Sequence, residues 1–156
     1  MRLIAVSDIH GRKGNLFDIV EKHIDEAAYF LCLGDCNSGD DFDEVNIYFG
    51  KKLHLITVCG NTDFRSTEPA VREFTLAGKR ILLCHGHTFN VKLTHLTLAH
   101  EAKKRNLDIA FFGHTHEPHI SIENGVYLIN PGAVANGSYG IIDINDNEIK
   151  DENAKI

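Results

Sequence analysis

Leu3-Ile4-Ala5-Val6-Ser7-Asp8-Ile9-His10 is a short apolar run that stops and presents two side chains able to hold a metal ion. A buried strand over Arg2 to Val6 would end in Asp8 and His10, which in an extended segment point to the same side. Alone, a D-x-H of this kind is weak evidence. Its weight comes from later apolar runs that end alike. Ala28 to Leu33 ends at Gly34-Asp35, Leu53 to Val58 at Gly60-Asn61, and Arg80 to Cys84 at His85-Gly86-His87. Asp108 to Phe112 ends at Gly113-His114-Thr115-His116.

Between these runs the periodicity predicts helices. One covers about Asn15 to Asp25, with Asn15 as N-cap and Leu16, Ile19, Val20, His23 and Ile24 on its apolar face. A short one covers Phe42 to Gly50, capped by Asp40 or Asp41. A third covers Thr94 to Arg105, with Leu98, Ala99 and Ala102 inward. Hairpins are expected at Ala77-Gly78-Lys79 and, most strongly, at Asn124-Gly125. Tyr139 to Ile144 reads as a strand that Glu148-Ile149 pairs with, followed by a frayed polar tail over 151–156. Strands alternate with helices early and hairpins dominate late. The expected architecture is therefore α/β, with two mixed sheets face to face and helices outside.

The 156 residues fit one domain over 1–156, and an apolar fraction of 43% is enough for a sizeable core. A net charge of -6 argues against nucleic acid as a partner, because a duplex binder wants a basic face. It leaves room for a small phosphorylated substrate held through metal ions, which bring their own charge. No signal peptide is read at the start, and the longest apolar run, Ala27 to Leu33, is far short of a membrane span. The expected address is the cytoplasm, with no membrane partner; homo-oligomerisation is left open. Cys32, Cys36, Cys59 and Cys84 have no paired zinc spacing and read as plain buried thiols. The alternative is a redox-sensitive thiol, since three of them lie within two residues of a candidate ligand.

In open α/β sheets, ligands bind beyond the carboxyl ends of the strands. Parallel strands would thus bring all five ends to one edge. Asp8, Asp35 and Asn61 offer oxygen; His10, His85, His114 and His116 offer nitrogen. That mixture favours Mn, Zn, Fe, Ni or Co over Mg or Ca. Two such ions roughly 3.5–4 Å apart can activate a bridging water and stabilise the attacking and leaving oxygens. His23 reads as packing, and His54, His95, His100 and His119 have no partner motif; His95 and His100 could line a pocket.

The ordered set D-x-H, G-D, G-N, G-H and G-H-x-H, from Asp8 to His116, closely resembles the calcineurin-like metallophosphoesterases. It looks most like their small phosphodiesterase branch, with YfcE-like and Vps29-like members. The resemblance implies a four-layer α/β/β/α sandwich and two divalent transition-metal ions, most readily Mn. One ion would be held by Asp8, His10, Asp35 and His116, and the other by Asp35, Asn61, His85 and His114. A metal-bridging hydroxide would attack the phosphorus of a small phosphodiester in line. Asn61 and His87 would lie near the phosphoryl oxygens, with Arg12, Lys13 and Arg65 available to a charged substrate. One departure stands out. Many members carry a histidine after the motif asparagine that can protonate the leaving group, whereas this chain has Thr62. Threonine is no general acid near neutral pH, which leaves His87 or metal-bound water for that step, or no protonation at all where the leaving group is acidic. Asp63 is expected to orient Asn61 or another supporting group. The alternatives are a phosphomonoesterase with the same site, or a non-catalytic interaction scaffold like the retromer subunit Vps29.

Overall fold

A computed structural model describes residues 1–36, 40–145 and 147–156, with the side chains of 40 and 41 left aside. The expected caps Asp40 and Asp41 thus lie outside the described side chains, and Asp146 of the last turn lies outside the described residues. The strands are β1 (Arg2–Val6), β2 (Tyr29–Cys32), β3 (Leu55–Thr57), β4 (Val71–Leu76), β5 (Lys79–Cys84) and β6 (Ile109–Phe111). They continue with β7 (Pro118–Glu123), β8 (Val126–Pro131), β9 (Ser138–Ile144) and β10 (Ile149–Lys155). The helices are α1 (Lys13–His23), α2 (Asp40–Phe49) and α3 (Leu96–Lys104).

Two five-stranded mixed sheets result, in the orders β10-β9-β1-β2-β3 and β4-β5-β6-β8-β7. In the first, β1, β2 and β3 run parallel; in the second, β5, β6 and β8 do. Alternation along the central strands builds the layers, because successive side chains leave opposite faces. Ile4 and Val6 of β1, with Phe30 and Cys32 of β2, pack under α1 and α2. Their neighbours Leu3, Ala5 and Leu31 face Ile81 and Leu83 of β5 and Ile109 and Phe111 of β6. On the far side, Leu82 and Cys84 of β5 and Ala110 of β6 meet Leu98, Ala99 and Ala102 of α3. The order is helix, sheet, sheet, helix, as expected. Strands buried on both faces explain why β1 and β6 read as continuous apolar runs. Among the described residues no helix is long and apolar enough to cross a membrane.

Two local expectations need correction. Helix α1 starts at Lys13, so Asn15 lies inside it; its Nδ2 donates to Val134 O at 2.8 Å instead of capping. The tail does not fray: Asp151 to Lys155 pair with Ile142 to Ser138 of β9. There a long neighbouring strand supplies the ladder, and Ile149 and Ala154 pack against the two cores, outweighing the polar composition. Cys32 and Cys36 lie buried with their sulfurs adjacent across the turn bearing Asp35, but their Cα atoms, 7.9 Å apart, are beyond the span of a disulfide. The turn folds Cys36 back over the end of β2, which spacing alone did not reveal. Cys59 and Cys84 are free thiols, and burial pushes the Cys84 thiol well up.

Candidate metal centre

The parallel strands bring their five carboxyl ends together, but not by the extended geometry first invoked. Asp8, His10, Asp35, His114 and His116 all have left-handed backbone, with φ of 54°, 45°, 56°, 70° and 62°. Such conformations cost side-chain-bearing residues roughly 1–3 kcal/mol each and persist where surrounding structure over-determines them. Asp8 and His10 therefore share a side through a turn that leaves β1. Likewise, His114 and His116 separate, His114 turning to His85 and His116 to His10.

Each aspartate has one oxygen fixed by a backbone N–H and one left for the cluster. Asp8 Oδ2 accepts from His114 N at 3.0 Å, and Asp35 Oδ1 accepts from Thr62 N at 3.0 Å. Asp8 Oδ1 is buried without a hydrogen-bond partner. It lies 3.1 Å from His116 Nε2, 3.8 Å from His10 Nε2 and 3.9 Å from His85 Nε2. Asp35 Oδ2 lies between the two halves, 3.4 Å from His85 Nε2 and 3.8 Å from His10 Nε2. His85 Nδ1 donates to Leu33 O at 2.7 Å, which assigns the proton to Nδ1 and turns the Nε2 lone pair inward. That Nε2 faces Asn61 Oδ1 at 3.1 Å and His114 Nδ1 at 3.2 Å. On the other side, His10 Nε2 and His116 Nε2 are 3.2 Å apart. Asp8 and His85 are fully buried, while Asn61, His10 and His116 are exposed, so the cluster opens on one side.

Converging lone pairs around a buried, unpartnered carboxylate oxygen are what a cation would satisfy. Among the described residues, two groups have ligand atoms close enough to hold one: Asp8, His10 and His116; and Asp8, Asp35 and His85. Burial would raise the Asp35 carboxyl, but the hydrogen bond and charge of His85 and the Thr62 N–H outweigh it and hold it well below the usual range. Burial lowers His85, yet Asp35 and Asp8 more than offset this and raise it. His114 is pulled down to about 4 by burial, then by His85 and Lys92, so at neutral pH its ring is uncharged with a lone pair to give.

The support is more elaborate than the motifs suggested. Asp63 is buried, and its carboxylate accepts from Asp35 N at 2.8 Å, Gly60 N at 2.7 Å and Cys36 N at 2.9 Å. It thus clamps the backbone around Asp35. Two of the motif glycines leave space that the ligands' packing needs. A Cβ on Gly113 would overlap Ser7 Oγ and come within 2.9 Å of Asp8 Oδ2, and one on Gly60 would overlap Asp35 Oδ1. Sequence reasoning missed Asn130. Fully buried, it donates from Nδ2 to Gly113 O and Thr115 Oγ1, both at 3.0 Å, and fixes the loop bearing His114 and His116. Its signal was an amide inside an otherwise apolar strand.

His87 lies beside the inner half, its ring 5.5 Å from His85 and 6.2 Å from His114, with Nδ1 buried and unpartnered. Burial, then His85, lowers its pKa. Thr62 contributes its N–H to Asp35, while its hydroxyl is buried without a partner. Arg12 is exposed just beyond His10, Lys13 is paired with Glu44 at 2.6 Å, and Arg65 lines a cavity beside α2. His23 is structural, as expected, bonding Tyr139 Oη at 3.0 Å and Glu26.

A family model described as "Calcineurin-like phosphoesterase superfamily domain" matches residues 1–147. A probable metallophosphoesterase, YsnB of Bacillus subtilis, is 28% identical over 134 residues, covering 86% of this chain and 75% of that protein. The structure of an archaeal phosphodiesterase superposes with a TM-score of 0.78 at 21% identity, covering 99% of this chain and 100% of the other. Vps29 of Entamoeba histolytica, solved with Zn²⁺, does so with a TM-score of 0.77 at 19% identity, covering 99% of both chains. The two structural likenesses carry the fold, and the model match carries the family, which implies divalent metal ions. This chain belongs to the calcineurin-like phosphoesterase superfamily.

Proposed function

We propose that residues 1–156 form one phosphodiesterase domain with a dinuclear metal centre. One ion would be held by Asp8, His10, Asp35 and His116, and the other by Asp35, Asn61, His85 and His114, with Mn²⁺ the preferred metal. The observation that carries this is Asp35 Oδ2, set between His85 and His10 while its other oxygen is fixed by Thr62 N–H. When bound, the two ions supply a nucleophile at neutral pH and offset charge on the phosphoryl group. The chain's residues do the rest. Asn61 and His87 line the inner side, where side-chain N–H groups can donate to phosphoryl oxygens. His87 has a lowered pKa and serves as a neutral donor, not a strong acid. Thr62 offers no titrating proton, so the leaving group departs largely unassisted. The exposed mouth at His10 and His116 leaves room for the second ester arm of a diester.

The test is metal analysis of the purified protein, then hydrolysis of bis-p-nitrophenyl phosphate with Mn²⁺, alongside Asp35→Asn and His85→Ala. Metal content near two per chain, and activity lost in both variants, is expected. Undiminished activity in either variant overturns the site assignment. A phosphomonoesterase would instead prefer p-nitrophenyl phosphate. Thr62, together with the exposed apolar side chains Phe64 and Leu93, favours one competing reading, a Vps29-like scaffold. In that case metal binds and no ester is cleaved.

A further inference from the structure

Beside the metal centre lies a second cavity of about 420 Å³, within the size range of small-molecule sites. Its walls come from the loop before α3, from the segment joining β6 to β7 and from the start of β7. Thr115, one of the lining residues, sits between the proposed ligands His114 and His116. The metal centre and the cavity therefore share a wall, and Asn130 fixes that wall through Thr115 Oγ1.

The cavity's chemistry is specific. His95 and His119 form an edge-to-face pair with ring centroids 4.2 Å apart, and Phe112 backs them at 5.0 and 6.0 Å. His119 Nε2 is hydrogen-bonded to Ser121 Oγ at 2.9 Å, which fixes the ring. Val91 and Pro118 add apolar surface. Lys92 and Glu117, also lining the cavity, are exposed, and among the described residues their side chains make no hydrogen bond or ion pair. A rigid aromatic wall with one free cationic donor and one free anionic acceptor suits a planar group whose edge carries both an acceptor and a donor. Simple alkyl or phosphate groups lack that combination, whereas a nucleobase has it.

We propose that this cavity binds the nucleobase of a nucleotide diester, packed against the edge-to-face His95–His119 pair, while the phosphate is held at the metal centre. The proposal rests on the phosphodiesterase reading for its catalytic part. It makes His95 and His119 specificity-determining residues, and Lys92 and Glu117 readers of the base edge. Losing one ring that a base packs against should cost about 5- to 150-fold in affinity.

The experiment compares thymidine 5′-(p-nitrophenyl phosphate) with methyl p-nitrophenyl phosphate, which share a leaving group, in the Mn²⁺-loaded full chain. The thymidine ester should have the higher kcat/KM. His95→Ala and His119→Ala should lower the ratio between the two substrates about tenfold, chiefly through KM, and His119→Phe should restore most of it. Lys92→Ala, at an exposed position, should lower the ratio without affecting folding. Equal kcat/KM for the two esters, or a ratio that no variant changes, overturns the proposal while leaving the phosphodiesterase reading intact. If neither ester is hydrolysed, that reading fails, and NMR titration with thymidine 5′-monophosphate decides the cavity separately. Shifts of the His95 and His119 ring signals, abolished in His119→Ala, sustain it; unshifted signals overturn it.

Discussion

Replacing Asp63 by asparagine should loosen the metal centre without touching a proposed ligand. The carboxylate divides its acceptors unequally: Oδ2 takes Asp35 N and Gly60 N, and Oδ1 takes Cys36 N. An asparagine would best keep its oxygen at the Oδ2 position. Its NH2 would then face the Cys36 N–H, so one bond is replaced by opposed donors and the other two lose their charge assistance. Hydrogen bonds to charged groups contribute about 1.5–3 kcal/mol, and an orphaned buried donor costs about 1–3 kcal/mol. The expected loss for Asp63→Asn is therefore about 3 kcal/mol, a large part of an ordinary domain's ~5–15 kcal/mol. Because the released backbone carries Asp35, Mn²⁺ affinity should fall about 10–100-fold, the range for residues that orient ligands. Urea denaturation of the metal-free protein reads the first effect, and competition with a fluorescent chelator reads the second. Stability within about 0.5 kcal/mol of the parent, as for an ordinary surface change, would refute the clamp. A stability loss with unchanged Mn²⁺ affinity would refute its link to Asp35.

Gly113→Ala should lose about 1–3 kcal/mol by overpacking against Ser7 and Asp8, whereas Gly14→Ala, with nothing within 4 Å, should be neutral or stabilising. Thermal denaturation of the pair checks this, and equal effects would contradict it. With Thr62 in the acid position, kcat for a series of aryl diesters should fall steeply as the leaving-group pKa rises, and a flat dependence would point to an unrecognised acid. Arg2 bonds both oxygens of Asp143, at 3.0 and 2.7 Å, and holds that carboxyl below its usual pKa. A folded pKa below the unfolded one stabilises above the ordinary carboxylate range and ceases to do so as pH falls through the lowered value. Asp143→Asn should thus show a small deficit in denaturant at neutral pH that shrinks in acid; both partners are over a third exposed, which keeps it small. A deficit that grows in acid would contradict the pairing.

The sequence announced the strand ends because hydrophobic runs and polar stops are local signals. Asp8, Asp35, Asn61, His85 and His114 were legible for that reason, and the layers followed from runs buried on both faces. What escaped depends on contacts distant in sequence. Asp63 reaches residues 28 positions away, Asn130 supports a loop 15 to 17 positions away, and β10 exists because β9 offers it a ladder. The left-handed turns at Asp8 and His114 were also not legible: aspartate and histidine enter that backbone more readily than most residues, but tertiary structure decides which of them do so. His95 and His119 lie 24 residues apart and meet only because the loop before α3 packs beside β7.

Neither sheet supplies a complete ligand group by itself. Asp8 and His10 follow β1 in the first sheet, and His116 follows β6 in the second; Asp8 and Asp35 belong to the first, and His85 to the second. A cation held by either group would therefore cross-link the sheets at one end of the apolar layer formed by Leu3, Ala5, Leu31, Ile81, Ile109 and Phe111. The same packing fixes the ligands' separation from below. Gly113, from the second sheet, abuts Ser7 and Asp8 of the first with no space for a side chain. The inter-sheet core and the proposed metal centre are thus two ends of one interface. Ions that bind only the folded chain would add their binding free energy to its stability. Conversely, a substitution deep in that core, far from any ligand, would change the spacing on which the ligands' convergence depends.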